Sequence, residues 1–577
     1  MTSADFLSGQ RSGRPLVRPL AQRLVAASLG VALGLLPLHG AGQSGDPRRS
    51  AGKPEPVASN PSDAAAARGA YQGSWLGGAG GGLVGPEGLR GGAGMPGGTR
   101  DGAPPPSSGS AAQNLPRLGD AAGDELSPLT ERRIGEAIMR DLRRDRSVLD
   151  DVEVTEYLNR FAARLSETPA ANGFTFEFFL VKDSTLNAFA LPGGMIGVHT
   201  GLMSAAQSES ELASVLAHEI GHVTQRHIAR MLSQQRQTSV LTLAGMVLAA
   251  LAARSNPQAA MGAMAMGGSA QQQMMLSFSR DAEREADRVG FEMLRDSGFD
   301  PNGMVAFFGR LQSASRIYES SAPAYVRSHP LTTERIADMQ ARIRDEGRYR
   351  QRADSIEFQL SRAKLRALAE TDTDGLRLAR GQFERQLRDR STGDERAAWF
   401  GIATAALAQR DFAGADRALA EVRRRTPAGH PFIERLAADI RLQQGDARGA
   451  LAIAQSATQR FPLSRALVHM QAQALIDAGE GARAVTYLRD QLATYRSDAQ
   501  LWRLIAQAYH QQGQAGEAHR ATAEEYALLG GWMAAIDQLR LALRSGKLDF
   551  YASSQVDSRI RELQAQYTLD RQDRAGR

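Results

Sequence analysis

The sequence predicts a mainly α protein of α+β class: a helical domain with a small β-sheet, followed by an all-α solenoid of tetratricopeptide repeats. Three observations support this. Apolar residues recur at helical spacing beyond residue 124, two short stretches near residues 174–199 alternate like strands, and segments beyond residue 395 repeat at intervals of 34 to 35 residues. A chain of 577 residues is long enough for two or three domains, each with its own core.

The first 42 residues read as a cleavable signal peptide that directs export to the periplasm. Arg11, Arg14, Arg18 and Arg23 precede an apolar run over 24–36, and Gly40, Ala41 and Gly42 supply small residues for a cleavage site. Residues 43–123, rich in Gly, Pro and Ala, show no apolar periodicity and cannot offset the entropy of ordering; they read as a disordered linker. Cysteine is absent, so disulfides and thiolate metal sites are excluded, and a metal must be held by His and carboxylate. The formal charge is +6, with Arg and acidic residues interspersed along the helices, which argues for solvated mixed-charge faces and against nucleic-acid binding.

Order begins in a domain over 124–350. Ser127 and Pro128 mark a helix start, with Ile134, Ile138 and Leu142 on one face; Tyr157, Leu158, Phe161 and Leu165 mark a second helix. Residues 174–181 read as a strand, and 187–199 as strand, Pro-Gly-Gly turn and strand. A helix is expected over 209–231. Residues 240–253 are apolar all round, and 240–270 is expected to form a hairpin covering the domain, peripheral membrane contact being the less favoured use.

A helical connector over 351–394 precedes the repeats, assigned to 395–550, and a tail over 551–577 follows. Ala415, Ala450, Ala484 and Ala518 each follow a helix break at separations of 35, 34 and 34 residues, small residues where paired helices cross. Such arrays present concave surfaces to peptides and partner proteins.

The chemistry is concentrated in HEIGHVTQRH, residues 218–227. Four residues advance a helix face by about 40°, so His218 and His222 project side by side and can grip one ion, with Glu219 placed to take a proton from water. This is the HExxH arrangement of zinc hydrolases. A third ligand is needed. His227, rotated about 140° from His222 on a continuous helix, reads as a surface or structural histidine. In FSRDAEREADRVG, residues 278–290, Glu283 and Asp287 share a helix face; Glu283 is the stronger ligand, Asp287 suits a supporting carboxylate behind a ligand histidine, and Glu285 reads as solvated.

HEIGH, SRDAEREADRVG some sixty residues on, and then SHPLTTERI together resemble the zinc metallopeptidase family of HtpX and the CAAX prenyl protease of the endoplasmic reticulum, over residues 125–344. The resemblance implies one Zn²⁺ per chain on His218, His222 and Glu283, Glu219 as general base, Asp287 in support, and His329 near the metal as a regulatory cap. NAFALPGGMIGVHTGLM is similar to the family's edge strand, so Asn187, Ala188, Phe189 and Ala190 are expected to pair with extended substrate. The multiple membrane spans of HtpX are missing, which favours the soluble periplasmic branch, whereas the Gly-rich linker has no counterpart. The expected activity is a periplasmic endopeptidase on unfolded or misassembled outer-membrane proteins, with the assembly machinery as a partner. The rival expectation is a non-catalytic chaperone or adaptor that acts through the repeats, its zinc structural or capped.

Overall fold

A computed structural model of the chain describes residues 127–144, 147–234, 278–317, 324–347 and 352–574. Residues 1–42 and 43–123, expected to be a signal peptide and a linker, and the apolar segment 240–270, expected to be a hairpin, lie outside the described residues. Those described fall within one compact unit, and their mainly helical architecture with one small sheet agrees with the predicted α+β class.

Helix α1 (Pro128–Leu142) is capped by the Ser127 hydroxyl, which accepts from the Thr130 amide, an arrangement worth about 1 kcal/mol. Its stripe of Ile134, Ile138 and Leu142 is buried against the sheet. Helix α2 (Val152–Ser166), capped by Asp151, buries Tyr157, Leu158, Phe161 and Leu165 as its periodicity requires. The sheet has three strands in the order β1-β3-β2, with β1 (Glu177–Val181) parallel and β2 (Ala188–Leu191) antiparallel to the central β3 (Met195–His199). The first strand is therefore shorter than expected. Pairing begins at Glu177 opposite Met195, and residues 174–176 precede it without a strand partner. A Pro192–Gly194 turn joins β2 to β3, and Gly193 and Gly194 take φ of 76° and 83°, which a side chain would strain.

After a short helix α3 (Thr200–Ala205), helix α4 (Glu209–Thr224) is buried along its whole length. It ends seven residues before the predicted 231. Arg226 adopts φ 53°, a left-handed conformation that stops the helix, and α5 (His227–Gln234) starts in a new direction. Helix α6 (Arg280–Asp296) packs on α4, followed by α7 (Asn302–Ile317), α8 (Ala324–Ser328) and α9 (Thr333–Glu346). The Thr332 hydroxyl caps α9, accepting from the Arg335 amide.

Helices α10 (Ile356–Ala367) and α11 (Thr373–Arg388) connect to the array. One continuous core runs from Phe161 and Leu216 through Phe358 and Phe383 to Phe400 and Phe432. The array itself comprises α12 (Glu395–Ala408), α13 (Phe412–Arg425), α14 (Pro431–Gln443), α15 (Ala447–Arg460), α16 (Arg465–Asp477), α17 (Gly481–Thr494), α18 (Ala499–Gln511), α19 (Ala515–Leu528), α20 (Trp532–Arg544) and α21 (Phe550–Arg574). Ala415, Ala450 and Ala484 are fully buried where paired helices cross. Among the described helices none is long and apolar enough to cross a membrane.

Candidate metal centre

The centre is built between α4 and α6, which approach closely because glycine stands at both contacts. A Cβ on Gly221 would lie 2.9 Å from the Ala286 carbonyl oxygen, and one on Gly290 would lie 3.1 Å from the His218 amide nitrogen. This places Glu283 of α6 across from the two histidines of α4. The Nε2 atoms of His218 and His222 are 2.9 Å apart, and the Glu283 carboxylate oxygens lie 3.4 Å from each. His329, which follows α8, brings its Nδ1 to 3.3 Å from His218 Nε2 and 3.0 Å from Glu283. All four side chains are buried, and one donor atom from each falls within 4.8 Å of the others.

Supporting groups hold this cluster in place. Asp287 Oδ1 lies 2.9 Å from His218 Nδ1, oblique to the N–H direction. Arg335 of α9 donates to both Asp287 oxygens at 2.6 and 2.8 Å, reaches Glu283 at 2.7 Å, and donates to the Pro330 carbonyl at 2.9 Å. Behind His222, its Nδ1 meets His227 Nδ1 at 2.8 Å, and His227 Nε2 meets Glu285 at 3.1 Å. The Tyr325 ring stacks on His329, with centroids 4.5 Å apart.

Glu219 is fully buried, and among the described residues no side chain hydrogen-bonds its carboxylate; His329 Nε2 stands 3.5 Å away. Burial pushes its carboxyl above the usual range, against the pull of His329 and His218, while the Ala190 amide of β2 also favours the charged form. A carboxylate raised toward neutrality takes and returns a proton more readily. Burial lowers the His222 imidazole well below its ordinary value, so the ring is neutral and offers a lone pair. For His218 burial also lowers the pKa, but Asp287 and Glu283 outweigh it and set the ring at about 9. Burial raises the Glu283 carboxyl, yet His329 and the other two histidines hold it well below the usual range. The pocket thus favours positive charge among acceptors, which suits a cation.

The structure brings His218, Glu219, His222, Glu283, Asp287 and His329 together; the four-residue spacings anticipate the first five, and the family resemblance implies His329. The edge-strand residues Ala188 and Ala190 lie on β2 beside α4, whereas Asn187 precedes the strand and accepts from the His199 amide at 3.1 Å. The predicted run 187–199 is not one edge: β3 is central, and β2 alone of that run has a free side. Two expectations need refinement. Of the two readings of His227, the structural one holds and the surface one does not: it is buried against His222, because the break at Arg226 removes it from the helical wheel on which its 140° displacement was reckoned. Glu285 is not simply solvated, since it pairs with both His227 and Arg230. Arg335 and Tyr325 were not anticipated; SHPLTTERI carries the arginine, but nothing in its local pattern marks it as buried.

Fold and site together define a metallopeptidase of HExxH type with a helical repeat array behind it. The chain belongs to peptidase family M48, whose model matches residues 149–343, and a tetratricopeptide-repeat model matches residues 441–508. It is 32% identical over 462 residues to the beta-barrel assembly-enhancing protease of Escherichia coli K12, an alignment spanning 79% of this chain and 93% of the relative. The protein of the same name from Yersinia pestis is 32% identical over 455 residues, 78% of this chain and 91% of its own. The mitochondrial metalloendopeptidase OMA1 of Schizosaccharomyces pombe is 31% identical over 182 residues, 32% of this chain and 51% of its own. A metallopeptidase requires a metal ion, and the donor set of His218, His222, Glu283 and His329 fits one. With Asp287 facing His218 Nδ1, His218 Nε2 converges with His222 Nε2 and the Glu283 carboxylate on one buried point, where a cation would take the place of the proton that His218 holds.

Proposed function

We propose that the protein is a periplasmic zinc endopeptidase that cleaves unfolded or misassembled outer-membrane proteins. The observation that carries the reading is the buried convergence of His218, His222 and Glu283 beside Glu219, whose carboxylate no side chain among the described residues hydrogen-bonds. Two imidazoles and a carboxylate are the ligands of a catalytic zinc with an open position, bound zinc would take the place of the proton that His218 holds without it, and the absence of cysteine removes the thiolate alternative. Zinc, when bound there, would activate a water and polarise the scissile carbonyl. Glu219 would take the water's proton and return it to the leaving amine; Asp287 would hold His218 in orientation.

Substrate would add to the free side of β2. The pairing of Asn187 with His199, and of Phe189 with Gly197, leaves the backbone groups of Ala188 and Ala190 on the side away from β3. Main-chain pairing there selects extended, hence unfolded, polypeptide. His329 fills the fourth position about the cluster, which favours a capped resting state that opens when the segment over 324–332 moves.

The likeness to the beta-barrel assembly-enhancing proteases supports outer-membrane protein assembly as the setting and the assembly machinery as a partner. The division of labour we propose is export by residues 1–42, a linker over 43–123, peptidase activity in 124–350, connection through 351–394, substrate or partner binding by the repeats of 395–550, and a tail over 551–577.

Glu219→Gln is the deciding variant. Cleavage of casein should fall by about 10²–10⁴-fold while zinc stays at about one per chain. Undiminished cleavage would remove Glu219 as the base, and purified protein without zinc would defeat the ligand set.

A further inference from the structure

We propose that His227 and Glu285 are positioning residues for the metal centre: they fix the tautomer of His222 so that its Nε2 lone pair faces the ion. The proposal rests on the reading above that His222 is a zinc ligand. Its evidence is a continuous line of contacts. Glu285 Oε2 lies 3.1 Å from His227 Nε2 and accepts from Arg230 Nη2 at 2.9 Å. An ionised carboxylate paired with arginine has no hydrogen to give, so His227 Nε2–H is the donor.

His227 Nδ1 lies 2.8 Å from His222 Nδ1, a separation at which the two nitrogens share one proton. With the His227 proton on Nε2, its Nδ1 is an acceptor, and His222 Nδ1–H donates to it. The lone pair of His222 is then on Nε2, directed at His218 Nε2 and the Glu283 carboxylate. The opposite assignment would put a hydrogen on His222 Nε2, where the ion must be. Phe278 stacks on the His222 ring, with centroids 3.9 Å apart and planes 23° apart, and so fixes the ring's orientation about the same line.

The two ligand histidines are thus oriented by different devices. His218 faces a carboxylate directly through Asp287, whereas His222 reaches its carboxylate through a second imidazole. The backbone makes this possible. Arg226, at φ 53° and held by an ion pair to Glu131 of α1, turns the chain so that His227 comes back against His222. His227 is itself 3% exposed, so its contact with His222 is sealed from water, while Glu285 closes the outer end of the line.

The test uses the full chain and zinc alone. His227→Leu removes the acceptor, and chelator competition should show zinc held about 10–100-fold more weakly. In His227→Asn the side-chain oxygen can take the position of Nδ1 and accept from His222, so affinity should return to within about threefold of the parent. Nitrogen-resolved spectra of histidine-labelled, zinc-loaded parent should show His222 protonated on Nδ1 and His227 on Nε2. A folded Leu variant that binds zinc as tightly as the parent, or the reverse tautomers, would overturn the relay. If the Leu variant does not fold, the parent's tautomers decide the matter. A parent that takes up no zinc would instead count against the peptidase reading itself.

Discussion

Arg335 does more for the metal centre than any motif announces. It is 3% exposed, forks onto both oxygens of Asp287, and also reaches Glu283 and the Pro330 carbonyl beside His329. Two buried carboxylates therefore share one guanidinium, and removing it takes from both their strongest hydrogen-bonded cation, leaving only the histidines to compensate them. Arg335→Met should lower the unfolding free energy by about 3–5 kcal/mol in denaturant titration. Arg335→Lys, which keeps the charge but not the planar fork, should recover only part of that. A loss below about 1 kcal/mol for the Met variant would mean that Asp287 and Glu283 find other partners. The sequence shows why some of these residues were legible and others were not. His218 and His222, like Glu283 and Asp287, advertise themselves by four-residue spacing within one helix. Arg335 acts across segments, and His227 acts through a helix break with no Gly or Pro to signal it.

Among the elements, the pairing of α4 with α6 decides the geometry of the site. Gly221 lies within HEIGH itself, and its missing side chain lets the Ala286 backbone come close enough to bring Glu283 to 3.4 Å from His222. Two effects of Gly221→Ala oppose each other. Alanine is favoured over glycine inside a helix by about 1 kcal/mol. Against this, its Cβ would stand 2.9 Å from a backbone oxygen that cannot swing aside, and overpacking of that kind costs about 1–3 kcal/mol. The contact should win. Thermal unfolding of the metal-free variant is expected to fall below the parent's, and zinc affinity should fall with it as α6 is displaced. A variant as stable and as tight in zinc binding as the parent would show that α6 can shift without moving Glu283. The helices were legible from their apolar periodicity, and the repeats from their 34-residue recurrence, because each is a local property of the chain. The closeness of α4 and α6 is a property of two segments some sixty residues apart, and a glycine within a motif gives no sign of which neighbour it admits.

At the scale of the whole molecule, the repeat array returns to the peptidase domain at more than one place. Within the middle of the array, the Arg465 amide donates to Glu156 of α2 at 3.4 Å. Lys364 of α10 binds Asp151 at 2.9 Å and also pairs with Glu153, tying the connector to the start of α2. At the far end, Arg140 of α1 donates to Asp570 of α21 at 2.8 Å, lies over the Trp532 ring and packs against Gly530. Helix α1 in turn abuts the turn that ends β2, for a Cβ on Gly135 would lie 2.0 Å from the Pro192 oxygen. The last repeats and the proposed substrate strand therefore share one helix, which suits an array that delivers chain to the cleft rather than one that scaffolds elsewhere. Arg140→Glu would set two carboxylates against each other at that contact. Hydrogen exchange should then quicken in α21 and at the start of α20, with zinc content unchanged. Cleavage of a long unfolded protein should fall if, as proposed, the array raises the local concentration of chain at the metal centre. A short peptide that spans only β2 should be cut as before. Equal losses on both substrates would place the effect in α1 and the strand instead, and no loss on either would leave the repeats without a part in capture.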